Sequence, residues 1–255
     1  VLERLRFDRE PVLVTGGGAG IGRACCEALA ELGATVILVG RTEAPLHEAA
    51  AAIERAGAVA VPRQVDVTSE PAVEALREEI AGRFGRLKAL INNAGDNFRT
   101  PITDLKTADW DRIVAVDLTS VFYLCRAMLP LLVKAPRGGA VVNNSSTFGL
   151  VGNALMPAYC AAKGGVLALT RQLAVDYGKA GVRVNAICPG PTLSPRVKGY
   201  IERGLSNPAA LIAKVPLGRM AECREIADVA VFLASDAASY VHGATVAIDG
   251  GYTIQ

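Results

Sequence analysis

The sequence predicts an α/β protein: a doubly wound, seven-stranded parallel sheet with helices on both faces. Three observations predict it. Short β-branched runs alternate with longer, Ala-rich stretches of helical periodicity, the rhythm of a parallel sheet connected by helices. Most of the short runs are continuously apolar rather than alternating, as strands covered on both faces are. The length of 255 residues, with 51% hydrophobic and 20% charged, suits one large core of this kind.

The expected elements follow in order. Pro11–Thr15 reads Pro-Val-Leu-Val-Thr and runs into a glycine string, after which Ile21–Leu32 has helical spacing. The second strand, Thr35–Val39, precedes a helix over Ala44–Ala56, and Val59–Pro62 precedes one over Glu70–Phe84. Ala89–Asn92 is the fourth strand. A long helical pattern, Thr107–Lys134, then separates it from the fifth, Ala140–Asn144. A helix over Ala158–Gly178 leads to the sixth strand, Arg183–Ile187, and one over Glu225–Ala234 to the seventh, Thr245–Ile248. No Pro/Ser-rich linker or longer repeat interrupts this rhythm, so residues 1–255 read as one domain. The exception is Pro189 to Pro216, proline-marked and weakly periodic. Its place after the sixth strand predicts a substrate lid over about residues 190–216.

Composition excludes several classes. Lys plus Arg (27) against Asp plus Glu (25) leaves a net charge of +2, too balanced for electrostatic binding of nucleic acid or membrane. No apolar run is read as a span of roughly 20 residues, and Val1 to Glu10 alternates charge with hydrophobe, unlike a secretion signal. Six cysteines without Cys-x-x-Cys spacing, and only two histidines, argue for buried thiols in a reducing cytoplasm and against a metal site.

The glycine string is Gly16-Gly17-Gly18-Ala19-Gly20-Ile21-Gly22. Glycines let a backbone turn sharply and approach a phosphate, and a following helix N-terminus offers free N–H groups and a positive dipole end. After a first strand, this predicts dinucleotide binding on a Rossmann-type sheet. At the end of the second strand an acid would accept the ribose hydroxyls of NAD(H). Here Val39-Gly40-Arg41-Thr42 has none, and Arg41 suits a 2′-phosphate through forked, charge-assisted bonds, so NADP(H) is favoured over NAD(H). A solvated surface role for Arg41 is the alternative. Asp66 and Val67 follow the third strand, where Asp66 either accepts from the adenine amino group or caps the turn leading to Pro71.

Tyr159 and Lys163 stand at i, i+4 on a predicted helix, which puts phenol and ammonium on one face. A phenol titrates near pH 10, and a neighbouring ammonium favours phenolate. Ser145-Ser146 ends the strand Ala140–Asn144, where a hydroxyl faces the ligand crevice of a parallel sheet.

With these motifs in order, the chain resembles the short-chain dehydrogenase/reductase family over nearly its whole length. The resemblance rests on Thr15-Gly16-x-x-x-Gly20-Ile21-Gly22, Asn92-Asn93-Ala94-Gly95, Ser146, Tyr159-x-x-x-Lys163, Asn185, Pro189-Gly190-Pro191-Thr192 and Asp249-Gly250-Gly251. It implies that Tyr159 is the acid/base, that Lys163 holds the nicotinamide ribose and lowers the Tyr159 pKa, and that Ser146 donates to the substrate oxygen. It also implies that Gly16, Gly18, Ala19, Gly20, Ile21, Gly22, Asn93, Ala94, Gly95, Pro189, Gly190 and Thr192 meet the cofactor, and that the assembly is a homotetramer packed through the helices Thr107–Lys134 and Ala158–Gly178. The family usually has Asn where this chain has Asp117. As a carboxylate, Asp117 would oppose Lys163 in lowering the Tyr159 pKa. The alternative is that desolvation leaves it partly protonated.

The substrate is expected to be a secondary alcohol or ketone: a sugar, sugar acid, polyol or 3-oxoacyl compound. Leu150, Val151, Leu155, Met156, Leu193 and Tyr200 are the expected apolar walls, and Arg99, Arg196 or Lys198 are candidate cations for an acidic group. A catalytically silent nucleotide-binding sensor or scaffold is the competing reading, favoured only by Asp117. A related epimerase or dehydratase branch would need a larger C-terminal part than the roughly 70 residues after Pro189.

Overall fold

The computed structural model describes residues 2–254. A short helix α1 (Leu2–Leu5) precedes β1 (Pro11–Thr15), α2 (Gly20–Glu31), β2 (Thr35–Gly40), α3 (Glu43–Arg55), β3 (Val59–Gln64), α4 (Glu70–Phe84) and β4 (Ala89–Asn92). Then come α5 (Thr107–Val114), a π-helical turn over Ala115–Thr119, α6 (Ser120–Leu132), β5 (Ala140–Asn144), α7 (Pro157–Tyr177) and β6 (Arg183–Pro189). Two short helices α8 (Pro195–Glu202) and α9 (Pro208–Ile212), then α10 (Cys223–Ala234) and β7 (Thr245–Ile248), complete the order. All strand pairs are parallel, in the order β3-β2-β1-β4-β5-β6-β7. The expected seven-stranded sheet is present.

The apolar runs make two cores because successive side chains point to opposite faces. Val12 and Val14 of β1 join Val36, Leu38, Ile91 and Val142 against α2, α3 and α10. Leu13 points the other way, with Ile37, Leu90 and Val141, into the layer of α4, α6 and α7. Each such fully buried aliphatic side chain contributes about 1.5–3 kcal/mol. The helix ends are built from ordinary caps: Ser69 accepts from Ala72 N–H at the start of α4, and Gly85 closes its end at φ +70°.

Two expectations need correction. The stretch Thr107–Lys134 is not one continuous α-helix, because the π-turn inserts at Ala115–Thr119 and buries Val116 and Asp117. Thr107–Leu132 is also long and apolar enough to cross a membrane by length and composition, with an 18-residue window of mean hydropathy 1.5, where the sequence reading expects no such run. The weakly periodic segment Pro189–Pro216 carries two short helices: Ser194 and Asn207 cap α8 and α9, each with proline in the first turn. The stretch Thr107–Leu132 is not lipid-facing in this fold. Its apolar residues, among them Leu124, Met128 and Leu132, are instead those of a core helix packed beneath the sheet.

The sheet order reverses direction between β1 and β4, so the loops after these strands diverge and leave a crevice at their carboxyl ends. Close packing behind that crevice depends on Gly22. A Cβ there would sit 2.2 Å from the Gly16 carbonyl oxygen and 2.5 Å from Asn93 Nδ2. Gly22→Ala is therefore expected to cost about 2–3 kcal/mol, measured by urea unfolding; an unchanged midpoint would show that the Gly16 turn yields freely.

Candidate active site

The first turn after β1 is shaped by left-handed glycines, Gly16 (φ +69°) and Gly20 (φ +56°). Thr15 ties it to the loop after β4: its hydroxyl accepts from Asn93 N–H (2.9 Å) and Ala94 N–H (3.0 Å), while Asn93 Nδ2 donates to the Thr15 carbonyl (2.9 Å). Helix α2 begins after Ala19 with no side-chain cap, so its first N–H groups and dipole face the crevice unclaimed. The crevice is about 870 Å³. Gly16, Gly18, Ala19, Gly20, Ile21, Arg41, Val67, Asn93, Ala94, Gly95, Pro189, Gly190 and Thr192 all line it, a cradle that fits a dinucleotide pyrophosphate.

Three sequence-predicted positions lie elsewhere. Gly22 packs behind the loop rather than lining the crevice. Asp66 does not line it either: its Oδ1 accepts from the Thr68 N–H (3.0 Å) and hydroxyl (2.7 Å), so it caps the turn before α4. Those bonds hold its carboxyl below the ordinary range. Leu155 is exposed and outside the lining, its left-handed backbone (φ +64°) tied by Thr100 N–H donating to its carbonyl (2.7 Å). Arg99, Met156, Arg196 and Tyr200 line the crevice, whereas Leu150, Val151, Leu193 and Lys198 do not. Reading the sequence missed Thr42, Pro45 and Leu46 beyond β2, Val65 beside Val67, and Phe148 and Tyr252. Their positions just past strand ends were a usable signal for the first four; Tyr252 arrives by tertiary packing, its ring 6.1 Å from that of Phe148.

The reacting groups converge. Pro157 starts α7, which carries Tyr159 and Lys163 one turn apart, with the Lys163 Nζ 5.6 Å from the Tyr159 ring centre. Lys163 is buried, and its ammonium donates to the Asn144 carbonyl (2.9 Å) and lies 3.0 Å from Asp117 Oδ1. Asp117 is fully buried, its Oδ2 accepting from Asp96 N–H (3.1 Å). Gly95 permits this approach, since a Cβ there would fall 2.6 Å from Asp117 Oδ1. At the end of β5, Ser145 Oγ donates to the Lys163 carbonyl (2.8 Å), while Ser146 Oγ accepts from Phe148 N–H (3.1 Å) and sits beside the Tyr159 phenol. Ser146, Tyr159, Lys163 and Asp117 thus share one wall of the crevice.

Burial pushes the Tyr159 phenol above its ordinary value. Lys163 and the Ser146 hydroxyl pull against that, and Asp117 adds to it. Burial works against the charge of Lys163, but Asp117 and Tyr159 outweigh it and raise its pKa. Asp117 itself is raised by burial, opposed by Lys163 and the Asp96 N–H.

Comparisons with known proteins agree with this fold. The sequence model of the family described as enoyl-(acyl carrier protein) reductase matches residues 16–253. The 2-(S)-hydroxypropyl-CoM dehydrogenase 3 of Xanthobacter autotrophicus is 40% identical over 97% of this chain and 98% of its own length. The meso-2,3-butanediol dehydrogenase of Serratia marcescens is 38% identical over 98% and 96%. A solved structure from Agrobacterium tumefaciens, described as a 2-deoxy-d-gluconate 3-dehydrogenase with bound NADP, superposes with a TM-score of 0.90 at 32% identity, over 99% of both chains.

Removing the Asp117 charge should ease ionisation of the phenol. Asp117→Asn is expected to retain turnover and to move the basic limb of the pH–rate profile to lower pH by about one unit. Superimposable profiles would show that Asp117 carries no charge felt by Tyr159.

Proposed function

The chain belongs to the short-chain dehydrogenase/reductase family, and we propose that this oxidoreductase of secondary alcohols uses NADP(H), with Tyr159 as its acid/base. The observation that carries the reading is the meeting of Ser146, Tyr159 and Lys163 on one wall of a glycine-lined crevice. Gly16 to Ile21, the loop Asn93–Gly95 and the segment Pro189–Thr192 would hold the dinucleotide, which when bound supplies or accepts the hydride.

The proton and the polarisation are the work of this chain. In reduction, Ser146 Oγ, oriented by the Phe148 N–H that it accepts, donates to the carbonyl oxygen. The Tyr159 hydroxyl gives that oxygen its proton as the carbon gains hydride, so the ketone becomes the alcohol and the phenol a phenolate. Lys163 stabilises the phenolate through its charge. Its ammonium is aimed by Asn144 and Asp117. Oxidation runs the same steps in reverse.

Arg41 supports the choice of NADP(H). It is exposed just past the end of β2 and lines the crevice, and its charge is felt by Asp66. The relative with bound NADP supports the same choice. For the substrate we propose a sugar, sugar acid, polyol or 3-oxoacyl compound. The relatives named for hydroxypropyl-CoM, butanediol and deoxygluconate support a hydroxylated compound, and Arg99 supplies a cation for an acidic end. The same reading makes the protein a cytoplasmic homotetramer, supported by six free cysteines and by exposed Phe122 on α6 and Val175 on α7.

A screen of alcohols and ketones at the nicotinamide absorbance tests the reaction. Tyr159→Phe should lower turnover about 10²–10⁴-fold with the cofactor still bound; turnover that survives this change would assign the proton to another group. Loss of a charge-assisted contact of about 1.5–3 kcal/mol predicts that Arg41→Ala weakens NADPH binding roughly 10- to 100-fold and leaves NADH nearly unchanged. Equal effects on the two would remove Arg41 from the 2′-phosphate.

A further inference from the structure

We infer that Arg196 is a positioning residue for proton transfer: the lid helix α8 brings its guanidinium to the Gly95–Asp96 backbone, where it offsets the charge of Asp117 at the Tyr159 phenol. The inference rests on the proposed role of Tyr159 and adds a group that neither the motifs nor the relatives assign.

The contacts form one chain from lid to phenol. Arg196 Nη2 donates to the Gly95 carbonyl (2.9 Å), and Nη1 lies 3.7 Å from Asp96 Oδ1. The next N–H, that of Asp96, donates to Asp117 Oδ2 (3.1 Å), and Asp117 pairs with Lys163 (3.0 Å), whose ammonium stands 5.6 Å from the Tyr159 ring centre. A second lid contact, Tyr200 hydroxyl to Asn97 Oδ1 (3.2 Å), holds α8 against the same loop.

The charges around the phenol can be counted element by element. On α7, Lys163 is positive. In the π-turn, Asp117 is negative and cancels it. After β4, Asp96 is negative, and Arg112 of α5 pairs with it through the guanidinium. Arg196 of α8 is a second cation against Asp96, and Asp109 of α5 stands 3.7 Å from Arg112, so the cluster as a whole is neutral and Arg196 is the cation that offsets Asp117. A neutral residue at position 117 would leave Lys163 itself uncancelled. With Asp there, the lid supplies the missing charge. The fields of both Lys163 and Arg196 favour the Tyr159 phenolate, and that of Asp117 opposes it. Arg196 is about half exposed, with 46% of its side chain accessible, so solvent weakens its effect without abolishing it.

The experiment is a charge cycle read by pH. The rate of alcohol oxidation is measured across pH for the wild type, Arg196→Gln, Arg196→Lys, Asp117→Asn and the double variant Arg196→Gln/Asp117→Asn. The phenolate absorbance of each protein is also titrated after subtracting the same background with Tyr159→Phe. Phenolate is the base, so losing a cation must move the limb up and losing an anion must move it down. Arg196→Gln is expected to raise the limb by about one pH unit, Arg196→Lys to keep it at the wild-type position, and the double variant to restore it. A change in KM with an unmoved limb in Arg196→Gln overturns the inference and makes Arg196 a substrate contact. A double variant that adds no restoration overturns it as well. If no alcohol or ketone is turned over, the functional reading fails by itself, and the absorbance titration still decides the charge balance.

Discussion

The buried pair of Lys163 and Asp117 is the constraint around which the site is arranged. Taking both charges out of water costs several kcal/mol per ion, recovered only when the remaining hydrogen-bonding capacity is met. The surroundings meet it in part, since Asp117 Oδ1 has the charge of Lys163 opposite it but no hydrogen bond among the described residues. The Asn144 carbonyl takes a second bond from the ammonium, and the Asp96 N–H takes the second carboxylate oxygen. A π-turn carries Asp117 into the layer beneath the loop after β4, and Gly95 leaves the space that a side chain would fill. Four segments distant in sequence are thereby fixed to one another at the point where the phenol sits.

The same loop serves two neighbours. On one side Asn93 and Ala94 are locked to Thr15 and so to the glycine turn; on the other, Gly95 and Asp96 receive Arg196 from the lid. The glycine turn, the wall that carries Tyr159 and helix α8 are therefore joined through four residues after β4, Asn93 to Asp96. Displacement of this loop would reach all three at once, which is why hydrogen bonds, rather than apolar packing alone, hold it. The C-terminal turn supports the lid from below: Asp249 accepts from Gly251 and Thr253, and Gly250 accepts from Leu217 N–H while packing on Val215.

The proposed role of Tyr159 asks for a phenol that ionises readily, and its surroundings pull in both directions. Burial and Asp117 together outweigh Lys163, so the phenol stands above its ordinary value. Burial, the largest of these effects, is what any positive charge entering the crevice would oppose.

Much of this was legible in the sequence, because it depends on local rules. Continuous apolar runs such as Val12–Val14 can only be central strands, and glycines between a strand and a helix announce a sharp turn whoever the neighbours are. Tyr159 and Lys163 share a helix face by spacing alone. Other features needed the folded chain. Asp66 offered two readings until Thr68 was seen to claim it, and Leu155 looked like a wall until its backbone turned it outward. The break in the helix at Asp117, and the path from Arg196 to Tyr159, depend on contacts between segments up to 101 residues apart. Periodicity reports which face of an element is apolar. It carries no information on which distant charge will stand opposite, because that is decided only when the sheet order brings the strand ends together.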